Sequence, residues 1–220
     1  MNARRTMQAV LAAAVAVGPV TAAAAEAQGW SMFGAQTSGD GANVVAVDAG
    51  FPSIALTFFH GVTSIEDVGV RLAFNYAFEG IPTAIYPGLR GEAIARLKLL
   101  DSGHLSLGVK GGVGMFGYFA PIATVLGVTI PLGVAVGIPV GSQIAIATGI
   151  DVPLFITFGP TGGLTAPILI DAALEYALSA RWQASFHARM GPALNPTGPL
   201  VPNGSAQIGF EIGIGTAFKL

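Results

Sequence analysis

The 220-residue chain has no cysteine, which excludes disulfides, thiolate metal ligands and lipidated cysteines. Charge is scarce as well: only 10% of residues are Asp, Glu, Lys or Arg. The net charge is −2, and no basic cluster lies beyond the N-terminus, so a nucleic-acid partner is not expected. The three histidines, His60, His104 and His187, fall in different segments without metal-ligand spacing, so neither a metal nor a cofactor is expected. The glycine-rich GVKGGVGMFG (108–117) is not followed by Gly-Lys-Ser/Thr and is no phosphate loop. The chain also lacks a usable membrane helix. Residues 111–150 carry no Asp, Glu, Lys, Arg or His, and a helix crosses lipid with about 20 apolar residues. The stretch 121–141, however, contains Pro121, Pro131 and Pro139 together with Gly127, Gly133, Gly137 and Gly141, a density of breakers that such a helix does not carry.

What the chain does have is apolar character, with 52% hydrophobic residues, a mean hydropathy of +0.66 and 31 glycines. That apolar content follows a period of two. Leu126, Val128, Ile130, Leu132, Val134, Val136 and Ile138 alternate with Gly127, Thr129, Pro131, Gly133, Ala135 and Gly137. One face is large and apolar and the other small, as in a strand between two different surroundings. Pro131 cannot donate to a ladder and predicts an edge or a bulge. The same alternation recurs over 66–79, 88–100, 104–118, 124–139, 143–158, 164–178, 181–192 and 205–219. A further hairpin is read at 43–50 and 54–61, turning around GFPS, which gives ten strands. Eight is the alternative, with 43–61 as a prelude to the ring.

Charges decide which face is which. Arg71, Glu79, Arg90, Glu92, Arg96, Lys98, Lys110, Asp151, Asp171, Glu175, Arg189, Glu211 and Lys219 all lie opposite the large apolar side chains. A soluble sandwich also alternates, but with strands of roughly half this length and without so many Gly and Ala on its polar face. Tight connections near 101–104, 139–142 and 178–181 alternate with mostly longer ones, and aromatic residues gather near strand ends. Trp182, Phe58 and Phe218 fall toward the short turns; Tyr76, Phe78, Phe119 and Phe158 fall toward the long loops. These features predict a closed, antiparallel, up-and-down transmembrane β-barrel whose charged face lines the lumen. Register around Ser179–Ala180 predicts a cross-strand ion pair of Asp171 with Arg189.

Three domains are expected. Residues 1–27 read as a secretory signal peptide, with MNARR, an apolar stretch and small-residue cleavage sites ending at Ala25 or Ala27. Residues 28–42 read as a loose, flexible leader, and 43–220 as the barrel. Over 43–220 the chain resembles the small outer-membrane β-barrel proteins of Gram-negative bacteria. The C-terminal strand, with Gly215, Phe218 and Leu220, resembles the assembly signal of that class, although the terminal residue is Leu rather than an aromatic. The resemblance implies residence in the outer membrane, with membrane lipid and the barrel-assembly machinery as partners.

Catalysis is not expected. Ser185 and His187 share the inward parity and read as polar lumen fillers, since acyl transfer needs a third, orienting group and an accessible substrate. The expected function is a structural or surface role with a side-chain-filled lumen. A narrow channel for small solutes is the alternative, and a lipid-modifying enzyme the least favoured reading.

Overall fold

The computed structural model describes residues 29–78, 85–120, 124–159, 162–195 and 205–220. The signal peptide read at 1–27 and Glu79 lie outside the described residues. Among the described residues there is no helix; the fold is all-β.

Thirteen antiparallel strands follow in order: β1 (Asn43–Phe51), β2 (Ser53–Gly61), β3 (Glu66–Asn75), β4 (Gly88–Asp101), β5 (Ser106–Phe119), β6 (Thr124–Ile130) and β7 (Leu132–Pro139). The others are β8 (Ile144–Asp151), β9 (Leu154–Thr157), β10 (Gly163–Pro167), β11 (Leu169–Ala177), β12 (Trp182–Asn195) and β13 (Ser205–Lys219). Proline accounts for the difference between this number and the ten read from sequence. The segments expected as continuous at 124–139, 143–158 and 164–178 are interrupted beside Pro131, Pro153 and Pro167, whose nitrogens have no hydrogen to give the ladder. β6 and β7, β8 and β9, and β10 and β11 therefore continue one another along three shared paths, and the thirteen strands run along ten paths in all. The three prolines are themselves cross-strand neighbours, lying between the Ile130↔Leu154 and Gly133↔Asp151 pairs and between the Phe155↔Thr165 and Asp151↔Leu169 pairs.

The pairings close on themselves. β1 bonds to β2 on one side and β13 on the other, β5 to both β6 and β7, and β12 to both β10 and β11. Each path thus has two neighbours, and no long edge of unpaired backbone remains. The paths are inclined. Register carried from Ala217 through Ala46, Thr57, Arg71, Glu92, Gly114, Thr129, Phe155 and Thr165, and on across β12, returns to β13 at Ser205, 12 residues along. Closing a twisted sheet requires such a stagger.

The connections sort by end. At one end lie the four-residue turns 62–65, 102–105, 140–143 and 178–181; β3 ends, and β4 begins, at the other, as do the paired ends of β5 and β6, of β9 and β10, and of β12 and β13. Gly103, at φ 78° in the second turn, occupies a backbone region that side chains avoid.

The two faces differ as the alternation predicts. Val70, Leu72, Phe74, Val134, Ile146, Ile150, Leu174, Ile208, Ile212 and Ile214 point outward and are exposed. The inward face carries Gly, Ala and nearly all the charge. Its glycines make room for long side chains: a Cβ on Gly133 would fall 2.2 Å from Asp151 Oδ1, and one on Gly213 would fall 2.5 Å from the His187 ring. The small residues and the charges on that face are therefore parts of one packing arrangement.

Two expectations require correction. Phe78, expected in an outward aromatic belt, is fully buried. It lies beyond the end of β3, where the two-residue alternation no longer fixes direction, and its ring turns into the interior. The leader is not loose either. Residues 30–38 fold back inside the ring, with Trp30, Ser31, Gly34, Ala35, Thr37 and Ser38 buried.

Candidate functional site

The site is the interior of the ring, which has three levels. The middle level is ionic and draws on strands distant in sequence. Lys110 of β5 contacts Asp151 of β8 at 2.7 Å and stands 3.8 Å from Asp171 of β11. Arg189 of β12 reaches Asp151 at 3.2 Å and Glu211 of β13 at 2.6 Å. His187 joins this chain through both ring nitrogens, with Nδ1 3.2 Å from Asp48 and Nε2 3.4 Å from Glu211. Arg71 lines the same space and stands in register with Glu92, whose carboxylate lies 3.5 Å from Arg90 Nε. These side chains surround a cavity of about 150 Å³. Charges held this far from bulk water are stable only when partnered, and each carboxylate here has at least one cation or imidazole near it.

Asp171 and Arg189 are register neighbours, as the hairpin geometry predicts. The guanidinium nevertheless extends to Asp151 and Glu211, and Asp171 faces Lys110. Register fixes Cα positions, whereas a long side chain chooses among carboxylates on several strands.

The level at the long-loop end is aromatic. Phe78, Phe116, Tyr118 and Phe155 pack together with ring centroids 5.1–6.5 Å apart, several edge-to-face, and Arg90 lies 5.8 Å from the Phe155 centroid. Asn75 donates to the Tyr118 hydroxyl at 2.9 Å. Phe116, Tyr118 and Phe155 all occupy the inward parity, so the signal for this layer was present in the sequence.

The level at the short-turn end is the leader. Glu175, with no exposed surface, accepts hydrogen bonds from the Ser31 hydroxyl at 2.6 Å and from the Met32 and Phe33 amides at 2.8 and 2.9 Å. Arg96 donates to the Ser31 and Met32 carbonyls at 2.8 and 3.1 Å, pairs with Asp67, and lies over the Phe59 ring at 4.1 Å. Asp67 accepts the Ser38 amide at 3.0 Å. Phe33 stacks on His187 with centroids 4.6 Å apart. Trp30 donates to the Ala180 carbonyl in one turn and Thr37 to the Ser64 carbonyl in another, so the segment crosses the mouth. Lys98 pairs with Asp101 beside the short turn, and Lys219 is half-buried at the same rim.

Asp48, His187 and Glu211 form the one group of metal-capable side chains among the described residues, with ligand atoms within 4.8 Å of one another. The two carboxylates approach different nitrogens of the imidazole, and Glu211 is already held by Arg189. A single cation could use only one of those nitrogens, so the geometry suits a bridged imidazole better than a coordination sphere. Two further interior charges, Asp48 and Asp67, stand outside the thirteen read from the sequence, although Asp67 shares the inward parity of Arg71. Asp48 sits where the alternation of β1 falters, and Asp67 lies at the start of β3.

No family model matches the chain, and no curated protein matches it. Among solved structures, OmpT, an outer membrane protein of Vibrio cholerae, is similar at 13% identity and a TM-score of 0.39, over 76% of this chain and 55% of that one. The present chain thus spans about half the length of that structure.

Proposed function

We propose that the chain is a ten-stranded outer-membrane β-barrel with a structural or surface role, a lumen occupied by its own side chains, and no catalytic role. One observation carries this reading: apolar side chains are exposed all the way around a ring that has no edge, while the charges point inward. Water-soluble proteins rarely expose apolar patches beyond a few hundred Å². In hydrocarbon the arrangement is the favourable one, because a closed ring leaves no open edge of backbone groups facing lipid. Residues 1–27 would direct export. Phe218 on the last strand and Leu220 just past its end, both exposed, would present the assembly signal with Gly215.

Substituting Ile212 with arginine, near the middle of β13, is expected to destabilise the barrel by about 2–4 kcal/mol, measured by urea unfolding in lipid. The adjacent position gives the control. A cysteine at 212 should react with a lipid-soluble thiol probe and a cysteine at 211 should not; the reverse pattern would place the charged face in lipid.

A second reading, a narrow channel for small solutes, is favoured by the mid-height cavity, which charged side chains line. Planar-bilayer recordings of the purified protein separate the two. With an aromatic layer above the cavity and the leader below it, no steady conductance above background is expected. A large, steady conductance would establish the channel and reject the filled lumen.

A further inference from the structure

Three charged side chains of the wall bind five main-chain groups of the leader. Glu175 takes two successive amides, Arg96 two successive carbonyls and Asp67 a further amide. A wall that reads backbone groups in this way recognises a peptide, and its side-chain selectivity comes from a few places. Glu175 takes the Ser31 hydroxyl, Phe33 lies on His187, and Trp30 packs among Val44, Ala46, Phe59 and Ala217. At residue 34 a Cβ would meet the Ser31 hydroxyl at 2.8 Å and the Gly137 Cα at 3.3 Å, so glycine fits best. The wall is complete without the segment, since the strand pairings close without it. The link to β1 runs through Gly39 and Gly41, at φ 92° and 67°, and through exposed Asp40.

We infer that the short-turn end of the lumen is a peptide-binding seat, occupied by residues 30–38 as a tethered ligand that can leave and be replaced by an extended peptide of the Trp-Ser-x-Phe-Gly type. If the ligand leaves, Glu175 loses all three of these partners at once, whereas Asp67 and Arg96 keep each other. The seat should therefore prefer a ligand that supplies amides and a hydroxyl over remaining empty. This goes beyond the proposed role, because it concerns recognition inside the ring and does not depend on which membrane holds it.

The test uses the full chain, folded first. A specific protease site is placed over residues 40–42, the assembled protein is nicked there, and a fluorescent peptide of residues 29–39 is added. The labelled peptide should exchange onto the nicked protein and not onto the intact one. A scrambled peptide of the same composition should fail to bind, and Glu175→Gln should weaken binding about tenfold or more. Equal binding of the scrambled peptide, no exchange at saturating peptide, or unfolding of the ring on nicking would each overturn the proposal. The last two outcomes would make residues 30–38 a permanent part of the core. None of the three bears on the conductance result.

Discussion

Replacing Arg189 with alanine should destabilise the protein by about 3–5 kcal/mol, the cost of leaving a buried charge without its counterion. This guanidinium joins two carboxylates on different strands, Asp151 and Glu211, at 3.2 and 2.6 Å. Asp151 keeps Lys110, so most of the loss should fall on Glu211, which is left with the imidazole of His187 and the more distant Arg71. The pair Arg189→Met with Glu211→Gln removes both charges, and it should cost clearly less than Arg189→Ala alone. Urea unfolding in lipid, followed by the gel shift of the folded form, measures both variants. A single variant as stable as wild type would show that the interior is wet enough to hydrate the orphaned carboxylate.

Deleting Phe218–Leu220 should abolish assembly altogether. These residues lie at the seam where the last strand meets the first: Phe218 faces Val45, Lys219 faces Val44, and the Leu220 amide donates to the Asn43 carbonyl at 2.8 Å. The other edge is affected too, since the Lys219 amide donates to Arg181 and Phe218 stands opposite Trp182. The truncated chain would expose that stretch of backbone to hydrocarbon at the point of closure. It is expected to be exported but not recovered from the outer membrane in a heat-modifiable form. Normal recovery would show that the resemblance of Gly215, Phe218 and Leu220 to an assembly signal is accidental.

The alternating segments could be read because the two-residue period of a strand is local, and a residue's face follows from its parity alone. That is why Glu211, Arg189, Asp171 and Arg71 could be placed on one face and Val134, Ile146 and Ile212 on the other. Side-chain partners depend on which of several strands a long side chain reaches, and this information is not local. Arg189 illustrates the limit: its register neighbour is Asp171, yet its guanidinium holds Asp151 and Glu211. The leader was illegible for a different reason. Residues 30–38 form no strand and carry no charge, so neither periodicity nor charge marks them. They are ordered by Glu175, Arg96 and Asp67, residues that from the sequence alone lie far away along the chain.

The neighbouring prolines 131, 153 and 167 give the wall a crease. Three adjacent paths each lack one donor along the same line across the sheet, so fewer ladder bonds hold the backbone there than in an uninterrupted pairing. The three paths can therefore bend at that line, whereas the ladder between β13 and β1 runs unbroken from Val44 to Phe51. Asp151 is two residues from the crease, and Lys110 stands opposite Gly133, two residues from Pro131, so a bend there would change the contact between these two charges.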